Sequence, residues 1–179
     1  YFINGGFSGT GRRLITAQGT YGDRSLQCWD ESFKQVWSRR IKRGEPGCQG
    51  SHMFPVIDLD GDGNDELLFG ERCMDINTGL DIWIADAQAW QGHSDVVQPV
   101  LDLADNRWLI YTCRESPSPA EARGVVMFDS RGKELWGHRG MAHVHDGWAA
   151  RLCDDGSHLF YAHESDDQGM TRKSGASHL

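Results

Sequence analysis

The sequence predicts an all-β fold, a β-propeller of four-stranded antiparallel blades, and three observations predict it. One strand pattern recurs along the chain. Tryptophans recur with it at Trp37, Trp83 and Trp136, 46 and 53 residues apart. No stretch shows helical periodicity. A repeat of about 40 to 50 residues holding several short strands marks propeller blades. One blade cannot bury both of its faces, so neighbours must stack and a ring must close. The blades are expected at 5–50, 51–92, 93–142 and an incomplete 143–179. That makes about three and a half, where propellers commonly have about four to eight, so the natural protein is expected to be longer, with about seven or eight.

Within each unit the second strands read RRLITAQG from Arg12, DELLFGER from Asp65, RWLIYTCRE from Arg107 and HLFYAHE from His158. Third strands end at Asp30, Asp75 and Asp129, seven or eight residues before the tryptophans of KQVW, LDIW and KELW. Turn residues such as Asn77-Thr78-Gly79 and Ser130-Arg131-Gly132 lie between them, which is hairpin punctuation. The repeated Trp is expected to pack between blades and the repeated Asp to cap a turn. They report the fold, not the chemistry.

The composition, 39% hydrophobic and 25% charged over 179 residues, is that of a globular chain, and 22 glycines suit many turns. A net charge of -8 opposes a sequence-independent grip on nucleic acid, which needs surplus Lys and Arg. No run of about 18 apolar residues offers a membrane span. The chain opens at Tyr1 without a basic, apolar leader, so a leader has been removed or the sequence begins internally. Five cysteines (Cys28, Cys48, Cys73, Cys113, Cys153) contain no CxxC pair, which weighs against a zinc ribbon or thioredoxin-type site. Buried thiols with at most one disulfide are expected.

From Asp58 to Glu66 the chain reads DLDGDGNDE, with oxygen ligands at alternate positions and glycines that let a tight loop wrap one hard cation. Calcium takes about six to eight oxygens. Asp58, Asp60, Asp62, the carbonyl of Asn64 and the carboxylate of Glu66 are the candidate ligands. An EF-hand would need Glu at its twelfth position, which is Phe69, and flanking helices rather than strands. The spacing resembles the DxDGDG loops of FG-GAP and related propeller repeats. The equivalent turns at Asp102 to Asp105 and Asp154-Asp155-Gly156 have lost most ligands, so one structural calcium ion is expected.

Eight histidines are many for this length. His93 and His145 each precede an aspartate, Asp102 and Asp154, by nine residues, so they hold equivalent places where the chain enters a first strand, near the central channel. His143 and His145 alternate as a strand would and point to one side. His163 closes the adjacent strand, level with Arg114 of the blade before. His93, Arg114, His143, His145 and His163 thus form a candidate patch on one propeller face, with Trp90 and Trp148 as platforms for sugar rings. A histidine can remove a proton at mild pH while an arginine neutralises a substrate carboxylate. That pairing is what β-elimination of a uronic acid sugar needs. The alternatives are histidines bonded to backbone, or zinc held by His143, His145 and a third ligand. No GxSxG elbow, GxGxxG or Walker loop occurs.

The strings IDLDGDGNDELLFG, GHSDVVQPVLDL, GVVMFDSRGKELW and AHVHDGWAARL together resemble the propeller polysaccharide lyases, the rhamnogalacturonan lyases of family 11 and the ulvan lyases of families 24 and 25. The resemblance covers about residues 10–165. His143 and His163, twenty residues apart, resemble the spaced active-site pair of ulvan lyases. It implies a proton-transferring His143 or His145 with His163 assisting, and a later Tyr and Arg that find no match after His163, where Arg172 is the one arginine left. The tail from Ser165 is polar and no further strand is expected there. The implied protein is a secreted or periplasmic lyase acting on an acidic polysaccharide. A non-catalytic calcium propeller that binds glycan or protein is the alternative.

Overall fold

The computed structural model describes residues 2–19, 22–47, 49–88, 90–115, 123–141, 143–152, 154–165 and 171–178, without the side chains of 2, 165 and 171–178. Four antiparallel meander sheets follow one another. The first holds β1 (Phe2–Ser8), β2 (Gly11–Gln18), β3 (Arg24–Asp30) and β4 (Gln35–Ile41). The second holds β5 (Val56–Ile57), β6 (Glu66–Leu68), β7 (Arg72–Asp75) and β8 (Asp81–Ile84). The third holds β9 (His93–Asp102), β10 (Arg107–Glu115), β11 (Arg123–Asp129) and β12 (Glu134–Arg139). The last holds β13 (Val144–Arg151), β14 (His158–Ser165) and β15 (Thr171–His178). This is the expected all-β, partial propeller. Among the described residues no helix is long and apolar enough to cross a membrane.

Alternating side chains explain the stacking. Leu67 of β6 packs among Ile15, Leu26 and Cys28 of the first sheet, while its neighbour Leu68 packs among Ile110, Val126 and Phe128 of the third. Leu109, Tyr111 and Cys113 of β10 face Val144, Phe160 and Ala162 of the last. Strands buried on both faces read as continuous apolar runs rather than alternating ones. The repeated tryptophans lock each joint: the Trp37 indole donates to the Ile76 carbonyl at 2.8 Å and Trp83 to Ser130 at 3.0 Å. Each ring lies over a turn glycine of the next blade, Gly79 (φ +70°) or Gly132 (φ +77°), where a Cβ would approach to 2.7 or 2.6 Å. The Asp30, Asp75 and Asp129 carboxylates each accept two turn amides.

One expectation changes. β15 pairs with β14 from Thr171 to His178, although TRKSGASH shows no apolar alternation. A strand at a sheet edge can be held by backbone pairing alone, which its side chains do not announce. Cys28, Cys73 and Cys113 are free, buried thiols whose pKa burial raises, so they are poor nucleophiles. Cys48 and Cys153 lie outside the described residues.

Candidate functional site

The inner strands of the third and last blades build the site. The Gln98 side-chain amide bonds both N–H and C=O of Ala149 at 2.8 Å, zipping β9 to β13. Both strands carry a bulge at their first turn. Ser94 pairs with Arg114 and Val96 with Cys113, leaving Asp95 without a register partner. Likewise Val144 pairs with Glu164 and Asp146 with His163, leaving out His145. A bulge re-aims the extra side chain, and here the two extra side chains meet: His145 Nδ1 lies 2.8 Å from Asp95 Oδ2. The counterpart of His145 in β9 is therefore Asp95, not His93 as the nine-residue spacing suggested.

Asp95 gathers two more histidines. His93 Nε2 lies 3.4 Å and His52 Nε2 3.5 Å from its Oδ1, and the His52 and His93 rings meet edge to face at 4.5 Å. His52 arrives because the segment before β9 is tied to it: Gln49 N–H donates to Gly92 C=O at 2.6 Å, Ser94 N–H to Gly50 C=O at 3.1 Å, and Ser51 bridges Ser94. His143 Nε2 sits 3.2 Å from His145 Nδ1 and 3.5 Å from Glu115 Oε1. Sequence reasoning missed Asp95, His52 and Glu115. Asp95 stands two residues beyond His93, which was the one local signal. The ligand-capable atoms of His52, His93 and Asp95 lie within 4.8 Å of one another, as do those of Asp95, His143 and His145, so either trio could hold a metal ion.

Burial and the neighbouring Glu115 hold the Asp95 carboxyl above its ordinary range, against the opposing pull of His52 and His145. Burial, and then His52, push His93 down from 6.5 to about 4, Arg24 adding to this and Glu115 opposing it. Between those values the unfolded chain binds a proton that folded His93 refuses, so its contribution is full above 6.5 and fades as pH falls toward 4. Melting temperature against pH should therefore drop less steeply over that window in His93→Gln than in the natural protein; parallel curves would contradict this placement.

An open cleft of about 560 Å³ lies over the cluster, lined by His52, Asp95, Gln98, His145, Asp146 and Trp148 among others. Trp148 is 66% exposed there, as a sugar platform requires. His163 stands against Asp146, which lines the cleft. Its Nδ1 lies 3.7 Å from Asp146 Oδ2, because the bulge puts Asp146 rather than His145 opposite it. Arg114 and Trp90, expected to face substrate, are walled in between the second and third blades. Arg114 forms a fork with Glu71 at 2.8 and 2.6 Å, reaches Asp86 at 2.9 Å, and lies 5.0 Å over the Trp90 ring. It shares the β10 face of Ile110 and Thr112, which is buried.

The acidic loop lies at the other end of the second blade's sheet. Asp58, Asp60 and Asp62 bring ligand oxygens within 4.8 Å of one another. The amides of Gly61, Asp62 and Gly63 turn inward onto Asp58. Glu66 is buried and accepts the Leu59 amide at 2.8 Å; burial, and then the three aspartates, push it up to about 7. The Asn64 side chain donates from Nδ2 to Asp62 Oδ1 at 3.1 Å while its Oδ1 accepts the Gly9 amide of the first blade at 2.8 Å.

No family model matches the chain. In sequence it is similar to the rhamnogalacturonan exolyase YesX of Bacillus subtilis (strain 168), 29% identical over 147 residues, 78% of this chain and 23% of that protein. In structure it is similar to the exotype rhamnogalacturonan lyase YesX (TM-score 0.67, 25% identity, 91% of this chain and 28% of that one). The rhamnogalacturonan lyase YesW (0.68, 24%, 92% and 29%) and a Bacillus licheniformis rhamnogalacturonan lyase PL11 (0.68, 24%, 90% and 28%) share the fold. The resemblance to rhamnogalacturonan lyases read from the motifs is thus found in sequence and in structure. The chain spans less than a quarter of the length of the curated relative.

Proposed function

We propose that the protein is a polysaccharide lyase that cuts an acidic, uronate-bearing glycan of the rhamnogalacturonan type by β-elimination, in the cleft bounded by His145, Asp95 and Trp148. The observation that carries this is the buried Asp95 carboxylate 2.8 Å from Nδ1 of the half-exposed His145. With Nδ1–H given to Asp95, the lone pair of the ring stands on Nε2, the nitrogen left for substrate. Trp148 seats the sugar. His145 Nε2 takes the C5 proton of the uronate; the C5–H electrons form the C4–C5 double bond, and the C4–O bond breaks with its electron pair leaving on the glycosidic oxygen, which takes up a proton from water. His143, in contact with both His145 and Glu115, holds the Nδ1 side of the ring in place. His163 supports the cleft wall through Asp146. The substrate carboxylate must be neutralised for C5 to become acidic, and Arg114 is spent on Glu71 and Asp86. A divalent cation held by Asp95 with His52 and His93 would supply that neutralising charge when bound.

A lyase leaves a C4–C5 unsaturated uronate with ultraviolet absorbance, whereas a hydrolase leaves saturated ends and a binding module leaves the polymer whole. Rhamnogalacturonan incubated with the protein at its full natural length should gain that absorbance; saturated fragments or intact polymer would refute the reading. The lyase is proposed to act outside the cytoplasm, secreted or periplasmic, where such polymers lie.

For the loop of Asp58, Asp60 and Asp62 we infer a structural calcium ion. Three clustered carboxylates and a Glu66 pushed up to about 7 are negative charge awaiting a cation, and an all-oxygen set suits calcium. A metal bound only by the folded state at about a hundred times its Kd adds ~2.7 kcal/mol. Chelation should lower the melting temperature, calcium should restore it, and Asp60→Asn should abolish both responses. A melting temperature indifferent to chelator and calcium would exclude the site.

A further inference from the structure

On a chain of net charge -8, four of the five residues 39–43 are basic: Arg39, Arg40, Lys42 and Arg43. Two are spent at once, Arg39 on Asp81 at 2.6 Å and Arg40 on Asp23 at 2.8 Å. Lys42 and Arg43 lie exposed, and Arg43 lines a hollow of about 350 Å³ with Gly44, Gln49, Gln91, Gly92 and His93. The acids beside it are engaged by backbone: Asp23 accepts the Arg43 amide at 2.9 Å and Glu45 the Lys42 amide at 2.8 Å. Gln49 Oε1 takes the buried Arg24 guanidinium at 2.7 Å, which places a second positive charge behind the hollow's wall. The hollow and the cleft share the His52–His93 pair: His93 lines one, His52 the other, and their rings touch.

We propose that Arg43, with Gln91 beside it, is a distal subsite that seats a uronate carboxylate of the same glycan chain, sugars away from the bond that is cut. This rests on the lyase reading above. A guanidinium pairs with a carboxylate by two parallel hydrogen bonds, and the contact between His52 of the cleft and His93 of the hollow sets the two sites side by side. The subsite would favour polymer over short fragments and would recognise charge rather than a single sugar.

Calorimetric titration in the His145→Ala background, where no bond is cut, tests it with rhamnogalacturonan oligosaccharides, native and carboxyl-reduced. Arg43→Gln should weaken the native probe about tenfold, equivalent to ~1.4 kcal/mol, reduce its salt dependence, and leave the carboxyl-reduced probe unchanged. Arg43→Lys should recover part of the loss. Equal affinity of native probe with and without Arg43, equal losses for both probes, or no binding of native probe at all would overturn the subsite. Polymer left uncut by the natural protein would defeat the lyase reading while the Arg43 contrast in binding still decided the subsite.

Discussion

His145→Ala should lose lyase turnover by about 10²- to 10⁴-fold, the range that a positioned general base supplies, with the fold intact because the ring is half exposed. Asp95→Asn should lose nearly as much for a different reason. The amide still fills the bulge, but it no longer attracts the Nδ1 proton, and its NH₂ can turn the imidazole to the wrong tautomer. The two losses should not add in the double variant, since both remove the same lone pair at Nε2. Initial rates on rhamnogalacturonan, read by the unsaturated product, would check this. Turnover within twofold of natural in His145→Ala would remove His145 from the chemistry, and full additivity would separate Asp95 from it.

The second large effect falls on stability. Arg114→Met should destabilise the protein by about 3–5 kcal/mol, the cost of breaking a buried ion pair from one side. Among the described residues, Glu71 would be left 1% exposed with Thr112 at 2.9 Å and Ser94 at 3.5 Å as side-chain partners. Replacing Glu71 by Met as well should recover most of the loss, because no uncompensated charge then remains between the blades. Denaturant unfolding gives both numbers. KM per folded molecule should stay put in Arg114→Met, since the guanidinium never meets solvent. An unchanged stability with a raised KM would instead return Arg114 to the substrate.

These expectations separate what one sequence could say from what it could not. The blades were legible because each Trp and each turn Asp does the same local work in every copy, so repetition amplifies the signal. The acidic loop was legible because its ligands are neighbours in the chain. The cluster was only half legible. His93, His143 and His145 stood out by residue type, but Asp95 and His145 meet through two bulges, and His52 reaches them through a bridge between Ser51 and Ser94. Bulges and bridges leave no composition signature. Arg114 misled because a charged residue near a strand end reads as exposed, whereas the buried Ile110 and Thr112 on its own face already placed it between sheets.

The account stands on the cleft over Asp95 being where the uronate sits. The most direct measurement is the ¹⁵N spectrum of the imidazoles during titration with a rhamnogalacturonan oligosaccharide in Asp95→Asn, where turnover is expected to be slowed enough to observe binding. The prediction is that Nε2 of His145 and the Trp148 indole shift together and saturably while His138 and His158, on other edges of the blades, stay still. Shifts confined to His138, His158 or the acidic loop, with His145 and Trp148 silent, would contradict it.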